Sequence, residues 1–125
     1  MYKVVVVEDE SMVRKGIILT IDWSALDCVV VGDAANGEEG VELVDRLKPD
    51  IVVSDVKMPR MDGVEMIEQL RKQGCKAKFI ILTAYSDFKY AQSALRLGVS
   101  DYLLKPFGDG ELELSLIHIS EPTRP

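Results

Sequence analysis

The feature that most constrains the fold of this chain is a regular alternation of short apolar runs with longer segments of helical periodicity. The apolar runs have the length of strands, and the first four are continuously apolar and rich in Val and Ile. This composition is typical of parallel strands that helices cover on both faces. The strand candidates are residues 3–7, 28–32, 50–54, 78–82 and 101–104.

The segments between these runs repeat apolar residues at a spacing of three to four, as in Val41, Val44 and Leu47. The helix candidates are residues 11–20, 37–47, 64–73 and 87–97. Right-handed crossovers between successive parallel strands then predict an α/β protein with a doubly wound sheet. Such sheets bind ligands beyond the carboxyl ends of their strands, so functional residues are expected there.

Length and composition exclude several classes of protein. With 125 residues, of which 47% are hydrophobic, the chain is long enough for one domain with its own core. A net charge of -6 argues against direct nucleic-acid binding. The sequence lacks a membrane-length apolar stretch, and its two cysteines have no zinc-like or disulfide-like spacing. A soluble, cytoplasmic protein is therefore expected.

Polar side chains follow the predicted strands at their carboxyl ends. Glu8 and Asp9 follow the first strand, Asp55 the third, Thr83 the fourth and Lys105 the fifth. Each alone has an ordinary structural explanation, such as a helix cap or a turn. Their placement at one edge of the same sheet favours a common site.

Three carboxylates in one place raise one another's pKa unless a cation lies among them. Mg²⁺ fits this requirement, because it prefers a few carboxylates and accepts a phosphoryl oxygen. Beside such an ion, Asp55 can act as a carboxylate nucleophile and form an acyl phosphate. We therefore predict a metal site made of Glu8, Asp9 and Asp55.

Other groups are predicted to bind the phosphoryl oxygens. The Lys105 ammonium and the Thr83 hydroxyl are two of them, and the backbone N–H groups of Val56 and Ala84 complete the anion cradle. The turn that follows Asp55 presents the backbone carbonyl of Lys57 as a neutral metal ligand.

Two prolines and one glycine shape these loops. Met58-Pro59 favours extended geometry before the proline, and Asp62-Gly63 predicts a tight bend and a helix start. The Lys105-Pro106 bond is a candidate for the cis isomer, since X–Pro bonds adopt cis at low cost, although trans is the commoner state.

Four motifs together resemble response-regulator receiver domains of two-component signalling, over residues 1 to about 113. The motifs are "VVVVEDE", "SDVKMPRMDG", "ILTAYSD" and "DYLLKPF", in that order. The resemblance implies a flavodoxin-like fold with strand order 2-1-3-4-5. It also implies Glu8 and Asp9 as the acidic metal pair, Asp55 as phosphoacceptor, Thr83 as switch hydroxyl and Lys105 as phosphate-sensing lysine.

The resemblance further implies a sensor histidine kinase as phosphodonor and slow self-catalysed dephosphorylation rather than turnover of a substrate. The stretches "IDWSALD" and "AYSDFKYAQSALRLGVSDYLLKP" are most similar to the subgroup with an AraC-type DNA-binding domain. Control of transcription through such a domain, which is missing here, is therefore expected. A homodimer through the face of helix 4, strand 5 and helix 5 remains open.

A receiver of this kind also needs a switch. Phosphorylation can draw Thr83 inward and make room for Tyr102 on the fifth strand, although a half-buried strand aromatic is the simpler interpretation. The aromatics Tyr85, Phe88 and Tyr90 either belong to the same output face or pack in the core.

The C-terminal segment fits this family poorly. Residues 111–119 nearly alternate in polarity, which favours a strand, although Leu112, Leu116 and Ile119 can also form one helical face. Residues 114–125 resemble a translated sequencing-library adapter, so we expect a receiver of residues 1–113, a non-native tail, and a fifth helix that is truncated or replaced. Losing an authentic fifth helix is expected to lower stability.

Three other functions compete with this interpretation of the sequence. A receiver-like module that binds proteins without phosphate is the main alternative, and the full set of reactive groups argues against it. An aspartyl-phosphate phosphohydrolase would need a second acid where Ser11 stands. A flavin site would need hydroxyls and amides where the first loop is acidic.

Overall fold

The computed structural model describes residues 1–84, 88–105 and 110–120 as alternating strands and helices. The boundaries agree with the sequence prediction to within about two residues. The elements are β1 (Tyr2–Val7), α1 (Ser11–Thr20), a short 3₁₀ turn (Ser24–Leu26), β2 (Cys28–Ala34), α2 (Gly37–Leu47), β3 (Ile51–Asp55), α3 (Gly63–Lys72), β4 (Lys78–Ala84), α4 (Phe88–Arg96), β5 (Asp101–Lys105) and α5 (Glu111–Ser120).

The five strands form one parallel sheet in the order β2-β1-β3-β4-β5, which confirms the predicted topology. The strand order reverses between β1 and β3, because the chain first adds β2 on one side of β1 and then β3 on the other. Val7 lies opposite Ser54 in the register of β1 and β3. The residues that follow these two positions therefore leave the sheet side by side.

Alternate residues of the central strands enter two separate cores. Val5 and Val7 pack with α2 and α3 on one face, whereas Val4 and Val6 pack with α1 and α5 on the other. All four of these valines are fully buried. This two-sided burial explains why the strand is continuously apolar rather than alternating.

Two helices begin at side-chain caps that the sequence signals. Asn36 accepts a hydrogen bond from the Glu39 N–H at 2.9 Å, which starts α2. Asp62 and Glu65 form a reciprocal capping box at the start of α3. The predicted helix start at Asp62-Gly63 is thereby confirmed.

The strand interpretation of residues 111–119 is wrong, because this segment forms helix α5. Leu112, Leu116 and Ile119 are buried in the core on the α1 side of the sheet, while Leu114 is 68% exposed on the opposite face. The alternating pattern was misleading because helical spacing can place these three residues over an open sheet face. Burial of that face outweighs the local alternation.

The cysteines and the lengths of the helices can also be compared with the sequence expectations. Both cysteines are free thiols, with Cys28 buried and Cys75 partly buried. Within the described ranges, no helix is both long enough and apolar enough to cross a membrane.

Candidate functional site

Three carboxylates meet where the order of the sheet reverses. Glu8 and Asp9 leave the end of β1, and Asp55 is the last residue of the neighbouring strand β3. One carboxylate oxygen from each residue lies within 4.8 Å of those of the other two. The structure therefore brings together the acids that the sequence placed at one edge of the sheet.

The Lys105 ammonium lies between two of these acids. Its Nζ is 2.5 Å from Glu8 Oε1 and 3.1 Å from Asp55 Oδ2. The side chain of Glu8 is 0% exposed, so its charge needs a close partner to offset the cost of burial. Lys105 is that partner, which joins the end of β5 to the ends of β1 and β3.

The surroundings of the site raise the pKa of both Asp9 and Lys105, which disfavours the charge on Asp9 and favours the charge on Lys105. Burial raises the pKa of Asp9, and a hydrogen bond with Glu8 and the Glu8 charge raise it further. Burial by itself would lower the pKa of Lys105, but its bond to Glu8 and the nearby Asp55 charge overcome this and raise it. The site thus disfavours a further negative charge and favours a cation.

The backbone around Asp55 is held closely by the loop that starts α3. The Gly63 N–H donates to the Val56 carbonyl at 2.7 Å. A Cβ atom on residue 63 would lie 2.5 Å from the Asp55 carbonyl oxygen, so a side chain there would push the loop away. Glycine at this position fixes the turn beneath Asp55.

The predicted anion cradle is only partly available in this conformation. The Val56 N–H already donates to the Leu82 carbonyl at 3.0 Å and to Asp55 Oδ1 at 2.8 Å. This group therefore already has partners in the present conformation, and its role toward a phosphoryl oxygen stays a prediction. Ala84 is paired with Lys105 in the sheet register, beside the site.

Thr83 is fully buried, and its hydroxyl donates to the Ala84 carbonyl at 3.2 Å. Lys57 is exposed in the turn that follows β3. The structure thus places both residues next to Asp55 along the chain or across the sheet. Their predicted roles toward a phosphoryl group and a metal remain predictions.

The donor set fits Mg²⁺ by chemistry and nearly by distance. All the donors are hard carboxylate oxygens, which this ion prefers. Two oxygens on one Mg²⁺ are at most about 4.2 Å apart, since each bond is about 2.1 Å long. The carboxylate oxygens lie within 4.8 Å of one another, and a small rotamer change or one bridging water would close the remaining difference.

The predicted switch residues are described only in part. Tyr102 is 38% exposed on the edge strand β5, as a half-buried strand aromatic would be. The side chains of Tyr85, Phe88 and Tyr90, and the Lys105-Pro106 peptide bond, lie outside the described part of the structure. The proposals made for them stay predictions.

A cavity of about 600 Å³ opens at the opposite edge of the sheet, away from the acids. Its charged rim includes Lys48, Asp50 and Lys76, all exposed, and its floor includes Ile51 and Leu70. Exposed charges of both signs beside an apolar floor do not define a ligand. The converging acids, of which Glu8 and Asp55 are buried, are therefore the better candidate.

Two further residues hold the site, of which the sequence did not indicate Arg14 and indicated Gly63 only as part of a bend and helix start. Arg14 on α1 bonds the Glu8 carbonyl, and Gly63 allows the close approach beneath Asp55. The arginine gives no sequence signal, because its partners are a backbone atom and a residue of another strand.

The chain is similar to a known protein family along most of its length. The family model "Response regulator receiver domain" matches residues 4–117. The "Uncharacterized transcriptional regulatory protein YesN" of Bacillus subtilis is 38% identical over 95% of this chain and 32% of its own length. The transcriptional regulatory protein HptR of Staphylococcus aureus is 34% identical over 93% of this chain and 45% of its own. This chain thus spans less than half of these relatives.

Solved structures of response regulators superpose closely on this chain. The REC domain of AraT, a response regulator from Geobacillus stearothermophilus, is 38% identical and superposes with a TM-score of 0.88, covering 94% of this chain and 92% of its own. A two-component transcriptional regulator AraC from Clostridium phytofermentans is 28% identical with a TM-score of 0.85, covering 95% and 92%.

Proposed function

The chain belongs to the response regulator receiver domain family, and from that premise we propose that it accepts a phosphoryl group on Asp55 and thereby switches an output surface. The observation that carries this proposal is the convergence of Glu8, Asp9 and Asp55, with the Lys105 ammonium bonded to Glu8 and Asp55. A carboxylate held beside cationic groups is suited to attack phosphorus, because the approaching charges are neutralised.

The chemistry is a simple displacement. A carboxylate oxygen of Asp55 forms a bond to phosphorus while the bond from phosphorus to the donor breaks, and the leaving group takes up a proton. The donor is the phosphohistidine of a sensor histidine kinase or a small acyl phosphate. The carboxylates of Glu8, Asp9 and Asp55 and the Lys57 carbonyl would hold Mg²⁺. The bound ion would neutralise charge on the phosphoryl oxygens.

The residues of this chain have separate roles in the step. Lys105 exchanges part of its contact with Asp55 for a phosphoryl oxygen, while its bond to Glu8 keeps it in place. Thr83 rotates its hydroxyl from the Ala84 carbonyl toward the new phosphoryl group. The Ala84 N–H adds a donor, and that of Val56 can add one only by weakening its bond to Leu82.

The outcome proposed for the whole protein is control of transcription in the cytoplasm. The curated relatives described above are named as transcriptional regulators and are two to three times longer than the matched region. A DNA-binding domain outside this chain would receive the change that starts at Thr83 and reaches Tyr102 on β5. The receiver itself is proposed to have no turnover activity beyond its own phosphorylation and dephosphorylation.

The test is incubation with phosphoramidate or acetyl phosphate and Mg²⁺, followed by intact-mass spectrometry. One adduct of about 80 Da, the mass of a phosphoryl group, is expected in the wild type and not in Asp55→Asn. Asp62→Asn makes the same chemical change in the same loop and should keep the adduct, since Asn also caps helices. A folded wild type without an adduct would favour a receiver-like module that binds proteins without phosphate.

A further inference from the structure

We propose that Arg14 is a positioning residue for the metal-binding acids. In this proposal, which rests on the function proposed above, its guanidinium fixes the backbone between β1 and α1 so that Glu8 and Asp9 face Asp55. Arg14 itself touches none of the three carboxylates in the contacts that the described residues make. Its action is therefore on the path of the chain rather than on the ion.

The guanidinium joins two segments of the chain that are far apart in sequence. Arg14 Nη1 donates to the Glu8 carbonyl at 2.6 Å, and Nε donates to Asp33 Oδ2 at 2.8 Å. The Arg14 side chain is 16% exposed and that of Asp33 is 46% exposed. Because Asp33 belongs to β2, the loop after β1 is tied to a strand of the sheet.

Other contacts hold the loop at its Glu8 side chain, through Lys105, and at the Glu10 carbonyl, through the backbone N–H of Arg14. The Glu8 N–H donates to the Ala34 carbonyl at 3.0 Å, which continues the sheet by one bond. The Glu10 N–H reaches Glu8 Oε2 only at 3.3 Å, and Glu10 gives α1 no side-chain cap. Arg14 therefore supplies the side-chain hydrogen bond that the Glu8 carbonyl accepts, just before Asp9 leaves the sheet.

Arginine is suited to this role because its donors are fixed in one plane. Two nitrogens of one guanidinium can donate to a carbonyl and a carboxylate at the same time in a fixed geometry. A lysine has one ammonium on a flexible chain, so it does not fix the two acceptors relative to each other. Arg14→Lys keeps the charge and loses the fork. This variant therefore separates geometry from charge.

The direction in which the Mg²⁺ affinity changes also distinguishes a positioning role of Arg14 from a purely electrostatic one. A cation near the acids repels Mg²⁺, so removing the charge of Arg14 would tighten Mg²⁺ binding if charge alone mattered. If Arg14 holds the acids in place, removing it lets the loop move and weakens Mg²⁺ binding. A purely structural role elsewhere in the fold would change the melting temperature without changing the affinity.

The experiment is calorimetric titration of Mg²⁺ into the wild type, Arg14→Met, Arg14→Lys and Asp33→Asn, each well below its melting temperature. We expect affinity to fall about tenfold in Arg14→Met, and by a smaller factor in Arg14→Lys and Asp33→Asn. Lys15→Met removes an exposed cation from the same helix and should leave the affinity unchanged or slightly higher.

The possible results distinguish this inference from the proposed function. Arg14→Met binding Mg²⁺ as tightly as the wild type, or more tightly, would overturn the positioning role while the metal site stands. A wild type that does not bind Mg²⁺ would overturn both. If Arg14→Met does not fold, unchanged affinity in both Arg14→Lys and Asp33→Asn would contradict the proposal.

Discussion

Glu8 is the residue at which the electrostatic cost of the site is concentrated. Its carboxylate is completely buried, and the Lys105 ammonium provides its direct charge partner among the described residues. Removing one member of such a pair leaves the other charge buried and unpaired. Glu8 and Lys105 therefore depend on each other for folding as well as for chemistry.

This dependence predicts the effect of replacing Lys105. We expect Lys105→Met to lower the free energy of unfolding by about 3 kcal/mol, at the low end for a buried pair because the lysine is partly exposed. Lys72→Met, on the exposed side of α3, should change it by less than about 0.5 kcal/mol. Urea unfolding of both variants measures the difference, and equal midpoints would contradict the pairing.

Asp9 should behave in the opposite way, because its raised pKa shows that its charge is unfavourable in the folded protein. The folded state binds that proton more tightly than the unfolded chain, so stability falls as pH rises from the ordinary aspartate pKa through the raised value. Asp9 is largely exposed, so solvent screens its charge and the effect is small: without Mg²⁺, Asp9→Asn should be more stable than the wild type by at most about 0.5 kcal/mol above this window.

Thermal melts across the acidic and neutral range test this prediction. The difference between Asp9→Asn and the wild type should shrink as pH falls below the ordinary aspartate pKa. Mg²⁺ should stabilise the wild type more than the variant, since binding requires the Asp9 carboxylate. A variant less stable than the wild type at neutral pH without Mg²⁺ would contradict the account.

At the scale of elements, helix α5 completes one of the two cores. Leu116 is completely buried there, and the Ser115 hydroxyl donates to Asp101 on β5 at 2.8 Å. These contacts join a segment that resembles an adapter to the authentic sheet. The non-native origin of residues 114–125 stays a prediction, but the helix contributes to the fold of this chain.

Leu116→Ala tests that contribution. We expect a loss of about 2–5 kcal/mol, because the substitution leaves a cavity beneath the sheet. Leu114→Ala removes the same atoms from the exposed face of the same helix and should cost less than about 0.5 kcal/mol. Similar denaturation midpoints for the two variants would mean that α5 does not pack on the sheet.

The sequence predicts the elements better than it predicts the last helix. Strands such as Ile51–Asp55 are recognised because burial on both faces makes them continuously apolar. Residues 111–119 were misassigned because local alternation cannot show which sheet face is still uncovered. The sequence likewise does not show that the Val56 N–H donates to the Leu82 carbonyl on β4, because the pairing of the strands decides that bond.

For the whole molecule, the acids could be placed together from the sequence because topology decides it. Parallel strands end at one edge, so Glu8, Asp9 and Asp55 had to converge once the strand order was known. The bond between Lys105 and Glu8 and the Arg14 contact could not be predicted. They depend on side-chain directions that strand order alone does not specify.

The central claim is that these converging acids form the metal site that makes Asp55 phosphorylatable. Titration with Mg²⁺ followed residue by residue in amide NMR spectra tests it most directly. The account predicts shifts centred on Glu8, Asp9 and residues 55–57, and their loss in Asp55→Asn. Shifts centred instead on the cavity at the opposite edge, around Lys48 and Asp50, or no site-specific shifts at all, would contradict it.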